Sequence, residues 1–156
     1  MRTKTLAVTA VMAAVLAVGG YLMLTSSSAP DAVGDVELRP DDQALVAQGR
    51  SVYAENCASC HGQDLEGQEN WRSRDADGLL PAPPHDETGH TWHHPDKVLF
   101  AITKYGPTKL SDGEYESRMP GYDGVLTDQE IIAALSYIKS TWPAEIRRRH
   151  DRMQAK

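Results

Sequence analysis

Three neighbouring residues carry side chains that bind metals and react covalently. Cys57 and Cys60 are separated by two residues, and His61 follows directly in the segment CASCH. Two thiols one helical turn apart reach both vinyl groups along one porphyrin edge, and the adjacent imidazole reaches the iron. The pattern C-x-x-C-H is typical of c-type haem attachment. We therefore predict one covalent haem c on Cys57 and Cys60, with His61 as the proximal iron ligand.

Other chemistries of two close cysteines fit this chain less well. A redox-active C-x-x-C pair needs a βαβ setting, and the sequence shows no strand alternation. A zinc site needs a second pair of cysteines, and the chain has only two in total. A structural disulfide between Cys57 and Cys60 is an alternative, but it leaves the adjacent His61 unexplained.

Met119 is the candidate for the sixth ligand. Beyond the N-terminal apolar run the chain has only Met119 and Met153, and Met153 lies in a charged tail. Pro120 follows Met119 and stiffens its loop, and a thioether ligand favours reduced iron. With His61 and Met119 occupying both axial positions, no substrate reaches the iron, so the prediction is electron transfer and not catalysis.

Four histidines fall within ten residues of one another: His85, His90, His93 and His94. Imidazoles bind copper and zinc, so the cluster is a candidate for a second metal site. Loop spacing alone defines no coordination geometry, and a solvated loop whose histidines bond to propionates, backbone or each other is favoured. A histidine of this cluster is also the alternative to Met119 as sixth ligand.

Helical patterns position these residues. Pro40 and two aspartates open a helix that runs towards Cys57 with an apolar stripe at Leu45, Val46, Gly49, Val52 and Tyr53. A second helix begins at Pro95-Asp96, has its stripe at Val98, Leu99, Ile102 and Tyr105, and is stopped by Gly106-Pro107. Thr127 and Glu130 form a capping box for a third helix, which ends near Trp142-Pro143. The fold class is predicted as all-α.

The N-terminus resembles an export signal. Arg2 and Lys4 precede the apolar run 6–24. Nineteen helical residues span roughly 28 Å, close to the ~30 Å of hydrocarbon in a bilayer. We predict a single-pass anchor in the bacterial cytoplasmic membrane, with the following residues in the periplasm. A soluble periplasmic protein after cleavage near Ser27-x-Ala29 is the alternative.

Composition divides the chain further. Segment 1–24 is the anchor or signal, 25–40 a linker, 41–142 the main domain and 143–156 a basic helical tail. The net charge of −6 argues against a nucleic-acid partner. An acidic surface steers basic partners, but it also serves simply to keep an exported domain soluble.

The segment 41–142 resembles a class I cytochrome c. The resemblance rests on Cys57, Cys60 and His61, on Met119-Pro120, and on helix signatures around Gly49-x-x-x-Tyr53 and residues 135–138. It implies that these two helices cross with Gly49 allowing close approach. It also implies a proline carbonyl that accepts from the proximal histidine Nδ1–H, and we favour Pro83 over Pro81 and Pro84. Propionate donors are expected among Trp71, Arg72, Arg74 and Trp92.

The resulting expectation is one-electron transfer by one haem c in a periplasmic respiratory or related chain, between redox partner proteins. Two alternatives stay open. One is a haem enzyme or sensor with a labile sixth ligand. The other is a metal-handling redox module that uses the cluster His85–His94.

Overall fold

The computed structural model describes residues 36–154, which all fall within the compact unit formed by residues 35–156. Helices dominate this part of the chain, and its only β pairing is an isolated bridge between Asp123 and Leu126. The elements are α1 (Gln43–Asn56), α2 (Ala58–His61), a 3₁₀ turn (Thr91–His93), α3 (Asp96–Tyr105), α4 (Pro107–Leu110), α5 (Asp128–Thr141) and α6 (Ala144–Gln154). The all-α prediction is confirmed for the described residues.

Local sequence explains where the long helices begin. The Asp42 carboxylate accepts a hydrogen bond from the Leu45 N–H at 3.1 Å, which caps the start of α1. Thr127 and Glu130 form the predicted capping box at the start of α5. The Thr127 hydroxyl accepts from the Glu130 N–H at 3.2 Å, and the Glu130 carboxylate accepts from the Thr127 N–H at 2.8 Å.

Helices α1 and α5 cross at close range. A Cβ atom on Gly49 would lie 3.0 Å from the Ala134 nitrogen and closer still to the Ala133 carbonyl. The predicted close approach at Gly49 is therefore confirmed, because only a residue without a side chain allows these two backbones to touch. The crossing buries Tyr53 on α1 against the core that includes Ile131 and Leu135.

Two expectations need correction. The apolar stripe predicted for the second helix includes Val98, which is 41% exposed; α3 buries Leu99 as predicted and Phe100 in place of Val98. The end of the predicted linker 25–40 belongs to the folded unit, since Val36 and Leu38 lie in the core. The Leu38 N–H donates to the buried Asp96 carboxylate at 2.9 Å, which ties this segment to the start of α3.

The predicted membrane anchor 6–24 lies outside the described residues. Within 36–154, no helix has the length and apolar character that crossing a bilayer requires.

Candidate haem-binding site

The C-x-x-C-H segment lies at the junction of two helices. Helix α1 ends at Asn56, Cys57 caps its end, and the single turn of α2 continues to His61. Cys57 is half-buried and Cys60 is exposed, and both are free thiols. The alternative of a Cys57–Cys60 disulfide is thus wrong for this structure. Both thiols are available for thioether formation, and Cys60 is the one that is open to solvent.

His61 is buried and its ring is oriented by a backbone carbonyl. Its Nδ1 lies 2.8 Å from the Pro83 oxygen, across 22 positions of sequence. A carbonyl oxygen only accepts hydrogen bonds, so Nδ1 carries the proton and Nε2 holds the free lone pair of the neutral ring. Burial lowers the pKa of His61, and the bond to Pro83 opposes part of that shift. The imidazole is therefore neutral at pH 7 and able to ligate a metal through Nε2.

A pair of antiparallel loop segments brings Pro83 to His61. The Gln68 N–H donates to the Ala82 carbonyl, and the His85 N–H donates to the Leu65 carbonyl, both at 2.8 Å. Between them, Gly67 donates to the His61 carbonyl at 2.8 Å and has a φ of +69°. A side chain on Gly67 would overlap the Pro83–Pro84 backbone, so this glycine permits the contact that delivers the carbonyl.

Burial also governs the Cys57 thiol. It raises the pKa of Cys57 from 9.0 to about 11, and the neighbouring Cys60 acts in the same direction. A thiol with this pKa remains protonated at pH 7 and is a weak nucleophile. In this environment Cys57 resists spontaneous thiolate chemistry.

Met119 lies on a separate loop that is fastened to both the motif and α3. Three residues on, Tyr122 donates from its hydroxyl to the Asn56 carbonyl at 2.6 Å, directly before Cys57. The Tyr122 N–H donates to the Thr103 carbonyl at 3.1 Å, and the Asp123 backbone N–H donates to the Lys104 carbonyl at 2.8 Å. These bonds link the Met119 loop to the same end of α1 that carries the cysteines.

Salt bridges of Arg118, the residue before Met119, also hold this loop. Arg118 forms salt bridges with Asp75 and with Asp77, the latter at 2.7 Å. The guanidinium lowers the pKa of the Asp75 carboxyl, and the N–H groups of Leu79 and Asp77 contribute through further hydrogen bonds. Met119 itself is half-buried, and its N–H donates to the Ser117 hydroxyl at 3.1 Å.

Two of the four clustered histidines meet, since His90 and His94 contact edge to face with ring centroids 5.5 Å apart, while His85 and His93 stack on other rings. His85 stacks on His61 with ring centroids 4.0 Å apart, His93 stacks on Trp92 at 3.7 Å, and His90 stacks on Trp71 at 5.5 Å. Within residues 36–154, no three His, Cys, Asp or Glu side chains assemble as a metal site. A second metal in the cluster therefore stays an alternative without a preformed three-ligand site among the described residues.

The candidate propionate donors are engaged with the protein itself. Arg72 lies over the Trp71 ring and donates to the Thr88 carbonyl at 3.2 Å. Arg74 donates to the Gly78 carbonyl at 2.6 Å, and the Trp92 indole donates to the Glu87 carbonyl at 3.3 Å. None of these contacts selects one of the four residues as a propionate partner.

The residues present fit a covalent haem. The structure supplies two free thiols at C-x-x-C spacing and, next to them, a neutral imidazole whose Nδ1 is already occupied. Sequence reasoning missed Gly67, His85 and Tyr122 as supports of this site. Their roles depend on contacts across 16 positions for Gly67 and Pro83, 24 for His85 and His61, and 66 for Tyr122 and Asn56, and no local sequence motif indicates such contacts.

Comparison with known proteins gives a consistent result. The family model described as cytochrome c matches residues 46–142. The chain is 28% identical over 120 residues to a cbb3-type cytochrome c oxidase subunit FixP of Bradyrhizobium sp. (strain ORS 278), covering 76% of this chain and 38% of that protein. It is 29% identical over 100 residues to a cbb3-type cytochrome c oxidase subunit CcoP of Azospirillum brasilense, and this match covers 64% of this chain and 30% of that protein.

A shorter match of 59 residues, 37% identical, links it to a cytochrome bc1 complex cytochrome c subunit of Corynebacterium efficiens, covering 38% of this chain and 20% of that protein. The chain thus spans 38% of the length of the FixP relative. No solved structure gave a significant match.

Proposed function

This chain belongs to the cytochrome c family, and we propose that it is an electron carrier in which His61 and Met119 ligate the iron of a single haem c. Family membership implies that the haem is covalently bound. When bound, the haem supplies a reversible one-electron couple at its iron. Cys57 and Cys60 are the residues that would form the thioether bonds.

The observation that carries this proposal is the hydrogen bond between His61 and Pro83. It assigns the proton to Nδ1 and leaves Nε2 as the nitrogen that would bind iron. Such a bond also makes the proximal imidazole a stronger donor and holds its orientation. A neutral, buried ring whose Nδ1 is held in this way suits a metal ligand.

Met119 supports the carrier role over an enzymatic one. Its loop is tied to Asn56 by Tyr122 and to residues 75–77 by Arg118, so the thioether belongs to a restrained segment. Two protein ligands leave no open position for a substrate. His85 is a poor replacement for Met119, because its ring stacks on His61 with centroids 4.0 Å apart, which leaves no room for a metal ion between the two rings.

Exposure indicates where the electron would pass. Cys60 is exposed and Cys57 is half-buried, so a partner could approach the thioether edge directly. Names of the relatives place them in cbb3-type oxidases and a bc1 complex, and we propose a comparable respiratory redox partner for this chain. We also propose that 6–24 anchors the protein in the cytoplasmic membrane with the haem domain in the periplasm.

A ligand-replacement experiment tests the proposal. The full chain is produced in cells that mature c-type cytochromes, and the pigment must survive acid denaturation and extraction with organic solvent. We expect Met119→Ala to abolish the weak near-infrared sulfur–iron band of the oxidised protein and to lower its reduction potential.

Met153→Ala is the matched control, because Met153 is the other methionine of the described residues and lies on α6. It should leave both the band and the potential unchanged. A band that persists in Met119→Ala would transfer the ligand role to another residue. A high-spin parent protein that binds carbon monoxide readily would favour the enzyme or sensor alternative.

A further inference from the structure

We infer that His85 is a positioning residue that sets the ring plane of His61; the inference rests on the proposed role of His61 as iron ligand. The two imidazoles stack with centroids 4.0 Å apart and planes inclined by 23°. His85 contacts the flat face of the His61 ring. Both nitrogens of His61 lie at the ring edge, so this contact leaves Nε2 open.

The bond to Pro83 does not define the His61 ring by itself. A carbonyl oxygen accepts hydrogen bonds over a broad range of directions, so it locates Nδ1 better than it restrains the tilt of the ring. A second ring against the face opposes this tilt, because tilting would force the two rings into overlap. Pro83 and His85 therefore restrain different motions of the same side chain.

His85 is itself held from three directions. Its N–H donates to the Leu65 carbonyl at 2.8 Å, and its carbonyl accepts from the Trp142 indole at 2.7 Å. Its side-chain Nδ1 lies 2.7 Å from the Thr91 hydroxyl. Leu65, Thr91 and Trp142 are all buried, so the anchors belong to the interior and not to mobile surface groups.

A fourth contact of the His85 ring is with Tyr53. Tyr53 meets it edge-on, with centroids 6.3 Å apart and planes inclined by 72°. Tyr53 is 2% exposed, and its hydroxyl donates to the Gly62 carbonyl at 2.8 Å, next to His61. The arrangement connects the proximal imidazole to the α1 core through one interposed ring.

The test measures ring orientation directly. In an oxidised low-spin haem, the paramagnetic shifts of the four haem methyl protons depend on the planes of the axial ligands. We expect His85→Leu to change the spread or order of these four NMR resonances while the sulfur–iron band persists. His85→Phe keeps a flat ring in the stack, and its methyl pattern should stay closer to that of the parent.

His93→Leu is the matched control. His93 belongs to the same cluster and stacks on an aromatic ring, Trp92, but it is exposed and does not contact His61 in this way. Its replacement should leave the methyl pattern unchanged. An equal change in His93→Leu and His85→Leu, or no change in His85→Leu, would overturn the inference.

If His85→Leu yields no haem-loaded protein, the haem methyl resonances of Thr91→Val test the inference. This substitution removes the 2.7 Å tether on His85 and keeps the side-chain shape. A methyl pattern identical to that of the parent then overturns the inference, and a changed one supports it. Failure of the proposed function looks different, because the parent protein itself would lack the sulfur–iron band.

Discussion

The crossing of α1 and α5 provides a sharp test of the fold, through the substitution Gly49→Ala. A new Cβ would lie 3.0 Å from the Ala134 nitrogen and nearer still to the carbonyl carbon and oxygen of Ala133. All three of these atoms belong to the backbone of α5. No rotamer change relieves such a contact, so the helices themselves must separate.

Two effects of opposite sign determine the magnitude. Replacing glycine by alanine inside a helix gains about 1 kcal/mol of helix propensity. Overpacking a tight contact costs roughly 1–3 kcal/mol, and a backbone obstacle puts this case at the upper end. We therefore expect Gly49→Ala to lower the free energy of unfolding by about 2 kcal/mol, as the difference of about 3 and about 1.

Guanidinium denaturation of the haem-loaded protein, followed by helical circular dichroism, measures this change. Ala47→Gly is the matched control, because Ala47 is exposed on the same helix and the exchange runs in reverse. Helix propensity alone predicts that Ala47→Gly lowers the free energy of unfolding by about 1 kcal/mol. If Gly49→Ala were instead stabilised by a similar amount, the close crossing described above would be refuted.

Two further predictions concern capping and pH. Thr127→Ala should lower the free energy of unfolding by about 1 kcal/mol, since it removes the cap of α5, and an unchanged denaturation midpoint would contradict this. Burial and the nearby Lys139 lower the pKa of His150, so the unfolded chain binds more protons than the folded one as pH falls through about 6.5. The free energy of unfolding should therefore decrease as the pH is lowered from about 7.5 to about 5.5, and it should decrease less steeply in His150→Gln. Equal slopes in the parent and the variant would refute the assignment of this pH dependence to His150.

Local patterns were sufficient for much of the fold. The Asp42 cap, the Thr127–Glu130 box and the stop at Gly106 each act within a few residues, so their sequence signals correspond directly to helix ends. Periodicity was less reliable where tertiary packing chose between adjacent apolar residues. On α3 the periodicity predicted that Val98 is buried, whereas Phe100 of the same helix packs in the core and Val98 is exposed.

The cluster His85–His94 shows that residue types close in sequence do not predict which side chains meet in the structure. Four imidazoles within ten residues raised a shared metal as an alternative to a solvated loop, and in the structure His85, His90 and His93 stack on three different rings, while His94 meets His90 edge to face. Stacking on Trp71, Trp92 and His61 gives His90, His93 and His85 different partners although they are close in sequence. Proximity along the chain does not define the directions of side chains on an irregular segment.

The amino-acid sequence by itself determined the chemistry of this protein, because two thiols and an imidazole within five residues define a haem attachment motif without reference to the fold. Tertiary structure alone decided what surrounds that motif. The Pro83 carbonyl, the His85 ring and the Tyr122 hydroxyl reach it across 22, 24 and 66 positions, respectively. Such contacts form only when the whole chain is packed, since their directions depend on the crossing of helices and the pairing of distant loops.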